Sequence, residues 1–217
     1  MFSLSEENYL KAIYHLEKHA ESGVSTNALA EQMDTKASSV TDMVKKLSDK
    51  KLAIYRKYQG VQLSEVGKKT ALQIIRKHRL WEVFLVDKLN FSWDEVHEVA
   101  EQLEHIKSEK LITELDKFLE FPKRDPHGDP IPDVDGHFQV ANKTLLSNLD
   151  VGESGKVVGV KDSSSEFLKY LDKNNIALGK LIHVADKESF DESMLVEINN
   201  KQLRISPMVS ANIYIKT

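Results

Sequence analysis

The sequence predicts a mainly α protein with a β-rich final third. Three observations predict it. Apolar residues recur at helical intervals through most of the chain up to Phe121. A stretch with four prolines, Phe121–Pro132, then interrupts the pattern. From Leu145 onward the pattern changes to short, β-leaning runs. At 217 residues the chain suits one large domain or two to three small ones. We expect three: 1–72, 73–140 and 141–217.

Composition narrows the chemistry. There are no cysteines, which excludes a disulfide framework, a thiolate zinc site and a cysteine nucleophile. This usage fits a reducing cytoplasm. The amino terminus, MFSLSEENYLKAIYHL, lacks the basic-then-apolar order of a signal peptide, and no apolar run approaches a membrane span. We therefore expect a cytoplasmic protein with no membrane partner. The net charge of −4 hides an asymmetry. Residues 36–58 carry seven Lys/Arg against two Asp, a balance of +5; residues 94–120 carry nine Asp/Glu against three Lys, a balance of −6. A basic segment followed by an acidic one suggests a polyanion site and a cation site on one chain.

Taking the elements in order, Ser3 and Glu6 have capping-box spacing ahead of a helix over 5–20, with Leu10, Ile13, Tyr14 and Leu16 inward. Gly23 breaks it. Ser25 caps a short helix from Thr26 to Met33. Asp34-Thr35-Lys36 is a turn, and a third helix runs from about Ser38 to Lys50 with Val40, Met43, Val44 and Leu47 inward. Ala53–Tyr58 alternates, Gln59-Gly60 reads as a two-residue turn, and Val61–Ser64 returns. Helix, short helix, turn, helix, hairpin is the order of a winged helix-turn-helix, whose third helix enters the major groove of double-stranded DNA. The residues facing DNA are then Thr26, Thr35, Lys36, Ala37, Ser38, Ser39, Thr41, Asp42, Lys45, Lys46, Arg56, Lys57 and Tyr58. Small residues at the helix start allow close approach, its amides and hydroxyls bind phosphate, and the cations add a sequence-independent attraction. The plainer alternative is a small helical bundle with surface lysines. No Arg or Gln holds an obvious base-reading position, and Asp42 needs a cytosine amino group or a water.

Glu65 to Leu89 reads as one long helix. Ser92 and Glu95 form a second capping box, starting a helix at Trp93. On that helix His97, Glu101, Glu104 and His105 share one face. Clustered carboxylates repel one another and are costly to bury, and a divalent cation relieves both problems. The bland alternative is a solvated face that carries two histidines. His78 and Glu82, spaced i, i+4 on the long helix, strengthen the metal reading. A last helix from Ser108 to Phe121 shows Leu111, Leu115, Phe118 and Leu119. With Trp81, Phe84 and Leu85, this is more apolar surface than one small domain needs, and it suggests a homodimer interface. No catalytic constellation and no site for a small organic substrate emerges, so we expect no enzyme.

Four motifs in order then carry a resemblance: the amino-terminal SLSEENYLKAIYHL, Ala37-Ser38-Ser39-Val40-Thr41, Arg76-Lys77-His78-Arg79-Leu80-Trp81-Glu82, and Val96-His97 followed after six residues by Glu104-His105. Together they resemble the diphtheria toxin repressor/manganese transport regulator family of metal-activated, dimeric transcription repressors. The resemblance covers residues 1 to about 140 and extends more loosely to the carboxyl terminus. It implies a primary metal site on Asn8, Glu101, Glu104 and His105. His78, Glu82 and His97 match positions used by neighbouring metal sites in different members. Two positions depart from the pattern. Position 8 is Asn, where manganese-type members have Asp and iron-type members Met. Position 11 is Lys, where some two-metal members have Glu, which weighs against a binuclear site of that kind. Glu101 stands where iron-type members place Cys, so the donor set is oxygen and imidazole. Such a set suits Mn²⁺, Fe²⁺ or Co²⁺ over soft metals. We favour Mn²⁺ over Fe²⁺, with Co²⁺ or Zn²⁺ able to substitute in vitro.

The proline-rich stretch is on its own terms a plain linker. The resemblance offers Asp125 and His127 as ligands of a second, ancillary site, completed by Asp162 or Glu166 from the last domain. That domain's strands, 155–160, 180–185, 194–198, 202–205 and 211–215, with one helix over 166–174, look like the small β-barrel of the FeoA type. The function implied is a metal-dependent repressor of metal-uptake genes, with the metal as co-repressor. Two rivals stay open: a di-metal carboxylate enzyme or metal-storage bundle using Glu101, Glu104, His105, His78 and Glu82, and a metal-independent winged-helix regulator.

Overall fold

The computed structural model describes residues 2–217 except 19, 21, 58 and 139–141. The chain forms two compact units. The first comprises Met1–His78, Glu101–Glu109 and Pro132–Phe138; the second comprises Arg79–Ala100, Lys110–Ile131 and Gln139–Thr217.

In the first unit, α1 (Leu4–Glu17) starts at the expected capping box, with Ser3 and Glu6 bonded reciprocally. It is followed by α2 (Thr26–Gln32) capped by Ser25, α3 (Ala37–Asp49), and the antiparallel hairpin β1 (Ala53–Arg56) and β2 (Gly60–Leu63). Leu10, Ile13, Leu29, Val40, Val44, Leu47 and Val61 are fully buried in one core. Helical and strand periodicity thus converge on a single apolar centre, which leaves the polar face of α3 outside. The hairpin corrects one expectation. Arg56 pairs with Gly60, so Gly60 belongs to the strand and not to a two-residue turn. The cause is Val24, which bridges Val61 through two 2.9 Å backbone bonds. Gly60 has φ +90°, and a Cβ there would lie 2.5 Å from the Val24 carbonyl oxygen, so only glycine fits.

Helix α4 (Glu65–Leu89) has the expected length. Its first part belongs to the first unit and its last part to the second. Helix α5 corrects a larger expectation: it runs only Val96–Leu103. Residues 93–95 are a turn because tertiary bonds claim them. Trp93 Nε1 donates to Asp172 at 2.9 Å and Asp94 pairs with Lys169 at 3.3 Å. At the other end Glu104 and His105 lie beyond the helix, in a turn. The single ligand-bearing face from 97 to 105 therefore does not exist. Helix α6 spans Glu109–Phe118.

The second unit ends in a six-stranded antiparallel sheet ordered β3-β8-β4-β5-β6-β7: Thr144–Leu145, Ile213–Lys216, Ser154–Val160, Leu181–Lys187, Met194–Ile198 and Lys201–Ile205. Helices α7 (Ser165–Lys173) and α8 (Pro207–Ser210) accompany it. Alternate residues of β6 and β8, among them Val196, Ile213 and Ile215, fill its core. Among the described residues β3 and β7 stand at the two ends of the strand order, so the sheet is open and "barrel" describes it only loosely. Strand β3 and helix α8 are too short for periodicity to reveal.

Candidate metal centres and nucleic-acid interface

One polar cluster lies in the first unit. Glu104 is 0% exposed. Both its oxygens accept from Lys11 Nζ, at 2.7 and 2.9 Å, and His78 Nδ1 donates to Oε2 at 2.6 Å. Lys11 also reaches Glu101 Oε1 at 3.2 Å. His105 Nδ1 donates to Glu7 at 2.5 Å, and its Nε2 lies 3.8 Å from Glu104. Burial pushes the Glu104 carboxyl up, but the His78 hydrogen bond and the Lys11 charge outweigh it and hold it below its ordinary value. Burial lowers the nearby Lys77 ammonium, against the pull of Glu7 and Glu104.

Asn8 is on the same helix face as Lys11. Its Oδ1 is buried with no hydrogen-bond partner. Such an orphan acceptor is uncommon and costs free energy unless something claims it. An amide oxygen, carboxylates and imidazoles together make a hard, sulfur-free donor set that fits a divalent cation. Asn8, Glu101, Glu104 and His105 are therefore gathered in one unit, with His78 bonded to Glu104. Glu7 and Lys11 complete the cluster. Sequence reasoning passed over Glu7 as a contributor, although Glu7, Asn8 and Lys11 at i, i+1 and i+4 carried the signal.

A second cluster lies in the second unit, where one oxygen of Glu82, one of Asp125 and one ring nitrogen of His127 lie within 4.8 Å of one another. All three residues are buried. His127 Nε2 donates to the Trp93 carbonyl at 2.8 Å, which leaves Nδ1 facing Glu82 at 3.8 Å. A backbone acceptor on one ring nitrogen is how proteins aim the other at a metal. Burial lowers His127, but the Glu82 and Asp125 carboxylates outweigh it and raise it to about 9. Burial and Glu82 push Asp125 up to about 7 against the pull of Arg79, which lies 3.3 Å away. The loop is held by Asp125 Oδ1, which accepts from His127 N and Asp129 N, and by a bond from Val160 N to the His127 carbonyl.

His97 lies on the rim of this cluster, 3.4 Å from Glu82, with a side chain 61% exposed. His97 belongs to the second unit, whereas Glu101, Glu104 and His105 belong to the first. Asp162 and Glu166 do not join the cluster: Asp162 accepts from Ser164 N, and Glu166 is exposed in the first turn of α7.

The residues assigned to DNA cluster on α3 and the wing. Thr35, Lys36, Ala37, Ser38, Ser39, Asp42, Lys45, Lys46, Arg56 and Lys57 are exposed, and Thr26 and Thr41 are half-buried. Thr41 donates to the Ala37 carbonyl at 2.9 Å, and Lys46 pairs with Glu6 at 3.1 Å. Tyr58 lies outside the described residues.

Comparisons with known proteins match three stretches of the chain. Residues 1–61 match the N-terminal DNA-binding domain of iron-dependent repressors, 64–133 their metal-binding and dimerisation domain, and 144–217 the FeoA domain. The chain is 30% identical to the diphtheria toxin repressor of Corynebacterium diphtheriae over 84% of each chain. It is 35% identical to the iron-dependent repressor IdeR of Mycobacterium tuberculosis over 58% of this chain, a match that spans about half (54%) of that relative's length. Among solved structures, a manganese-dependent transcriptional repressor in complex with manganese superposes with a TM-score of 0.81, 33% identity and coverage of 97% of this chain and 98% of that one. The manganese regulator SloR gives 0.71 at 35% identity, covering 97% of both. No helix among the described residues is long and apolar enough to cross a membrane. The chain belongs to the diphtheria toxin repressor family of metal-dependent transcription repressors.

Proposed function

We propose that this chain is a homodimeric repressor that binds operator DNA when Mn²⁺ occupies the Asn8–Glu101–Glu104–His105 site, and that it controls metal-uptake genes from the cytoplasm. The buried, unpartnered Asn8 Oδ1, on the helix whose Lys11 holds the fully buried Glu104, carries the reading. The ion supplies the positive charge that these donors need. Asn8 and Glu7 are on α1, while Glu101, Glu104 and His105 come from the end of α5 and the turn after it. Ligation from both would fix α1, and with it the winged helix built on α1. An ion shifts such an equilibrium only as far as it binds the DNA-competent arrangement better.

The oxygen-and-imidazole donor set and the manganese repressors among the structural relatives favour Mn²⁺ over Fe²⁺. Glu82, Asp125 and His127 would hold a second, ancillary ion. The exposed Leu111, Phe118 and Phe121 would form the dimer seam. Two recognition helices then meet half-sites about one helical turn, roughly 34 Å, apart or a multiple of it.

The test begins with selection from a pool of random duplexes in the presence of Mn²⁺. The enriched duplex is then titrated in Mn²⁺ and in EDTA, with the parent and with Glu104→Gln. Tight binding by the parent in Mn²⁺ alone supports the proposal. Equal affinity in both buffers would make the chain a metal-independent regulator.

A further inference from the structure

We propose that Lys11 is a built-in competing cation, which a divalent ion must displace in order to enter the Glu101–Glu104 site. The proposal rests on the reading of that cluster as a metal site.

The geometry is specific. Lys11 Nζ contacts both oxygens of Glu104 and one of Glu101, at 2.7, 2.9 and 3.2 Å. The Glu104 side chain is 0% exposed and that of Lys11 only 15%. His78 takes a further position on Glu104 Oε2. Both oxygens that Glu104 offers a metal are therefore already engaged by proton donors, Lys11 on both and His78 on one. A divalent ion bound to Glu104 and an ammonium hydrogen-bonded to the same oxygens would be close like charges, which repel strongly where water is largely excluded. The two states exclude one another.

The same helix carries both the competitor and a ligand, because Asn8 and Lys11 are three residues apart on α1. In the ammonium-bound state Asn8 Oδ1 has no partner. The exchange releases one positive charge from Glu104, installs two, and satisfies the orphaned amide. A monovalent ion that replaced the ammonium would gain no charge. The ammonium thus sets a threshold that a divalent ion passes and a monovalent ion does not. It also neutralises Glu104 when metal is scarce, since an unpaired buried carboxylate is strongly destabilising.

The test uses the full chain. Mn²⁺ affinity is measured by calorimetry on the parent, Lys11→Met and Glu104→Gln, the methionine keeping the chain length without the charge. Lys11→Met is expected to bind Mn²⁺ roughly tenfold or more tightly, because both the repulsion and the competing bond are gone. Its metal-free form is expected to melt lower than the parent's, and Mn²⁺ is expected to restore it. In the parent, Mn²⁺ should speed acylation of Lys11 by an amine-reactive ester severalfold, read by mass spectrometry. That measurement needs no variant and stands if Lys11→Met fails to fold. Unchanged or weaker Mn²⁺ binding by Lys11→Met overturns the inference. So does a Lys11 acylation rate that ignores Mn²⁺ in a parent whose Mn²⁺ binding is lost on Glu104→Gln. If Glu104→Gln binds Mn²⁺ as the parent does, the metal-site reading fails, and this inference fails with it.

Discussion

Glu6 of α1 and Lys50 of α3 are joined by a 2.6 Å ion pair, with the Glu6 side chain 1% exposed. Lys46, also on α3, lies 3.1 Å from the same oxygen, and Ser3 N donates to the other at 2.9 Å. Glu6 is two residues before Asn8, so the helix that carries a candidate ligand is fastened to the helix that carries the candidate DNA contacts. The fastening is internal to the first unit and does not depend on metal.

That pair makes stability pH-dependent with a definite sign. Burial raises the Glu6 carboxyl, but the Lys50 bond, the Ser3 amide and Lys46 outweigh it and bring it from 4.5 down to about 2. A depressed folded pKa contributes stability that is present above the unfolded value and lost as pH falls through the folded one. Glu6→Gln should therefore unfold at lower urea than the parent at pH 7. The gap should narrow progressively between about 4.5 and about 2. A gap of the same size at pH 3 and pH 7 would assign the loss to packing and not to charge.

Gly128 supports the Asp125–His127 loop through backbone conformation. Its φ is +87°, and a Cβ there would lie 2.1 Å from the Val158 carbonyl oxygen and 2.2 Å from Gly159 Cα. Strand β4 is a rigid neighbour and cannot yield as a side-chain tip can. Gly128→Ala is expected to cost about 2 kcal/mol or more in urea unfolding, with an unchanged m-value. A loss under half that size would mean that the loop is free to move away from β4.

The winged helix-turn-helix was legible because caps and periodicity agree there. Ser3, Ser25, and the inward Val40, Val44 and Leu47 each make local sense and point to one core. The candidate centres were legible only as residue types. His97 and Glu101 are four apart on α5, and helical spacing placed them together. Yet α5 stops at Leu103, Glu104 turns inward to Lys11 and His78, and His97 stays beside Glu82. Helix termini are decided by such long-range bonds, which no local pattern encodes. The anchoring of Asp125 by Arg79 spans 46 residues of sequence and left no periodic trace. Lys11 was visible as a departure from the family pattern, but its ion pair with Glu104 was not.

The apolar face of α4 and α6 predicts how the chain self-associates. Phe118 is 59% exposed, Phe121 54% and Leu89 51%. The rings of Phe84 and Phe118 lie 6.2 Å apart. Because the chain matches a dimerisation domain, we propose this cluster as its association seam. Phe118→Asp should weaken the dimer by roughly thirtyfold or more in sedimentation equilibrium, the usual cost of losing an aromatic anchor. Because Phe118 is mostly exposed in one chain, the monomer should keep its helical circular dichroism. An unaltered dimer constant would move the seam elsewhere.

The ancillary cluster gives the most direct count. Glu82 is 2% exposed and lies 3.8 Å from His127 Nδ1, with Asp125 also buried. Two carboxylates and one imidazole in a dry site supply three donors, and the Trp93 carbonyl fixes which ring nitrogen of His127 they face. Glu82→Gln keeps shape and volume but removes one anionic donor. It should lower the Mn²⁺ bound per chain by one ion in equilibrium dialysis and leave the ion that depends on Glu104 in place. Glu104→Gln should remove the other ion alone. Loss of both ions in either variant would mean that the sites are coupled. An unchanged count in Glu82→Gln would make Glu82, Asp125 and His127 a hydrogen-bonded structural cluster, with Arg79 supplying the positive charge that a metal was assigned.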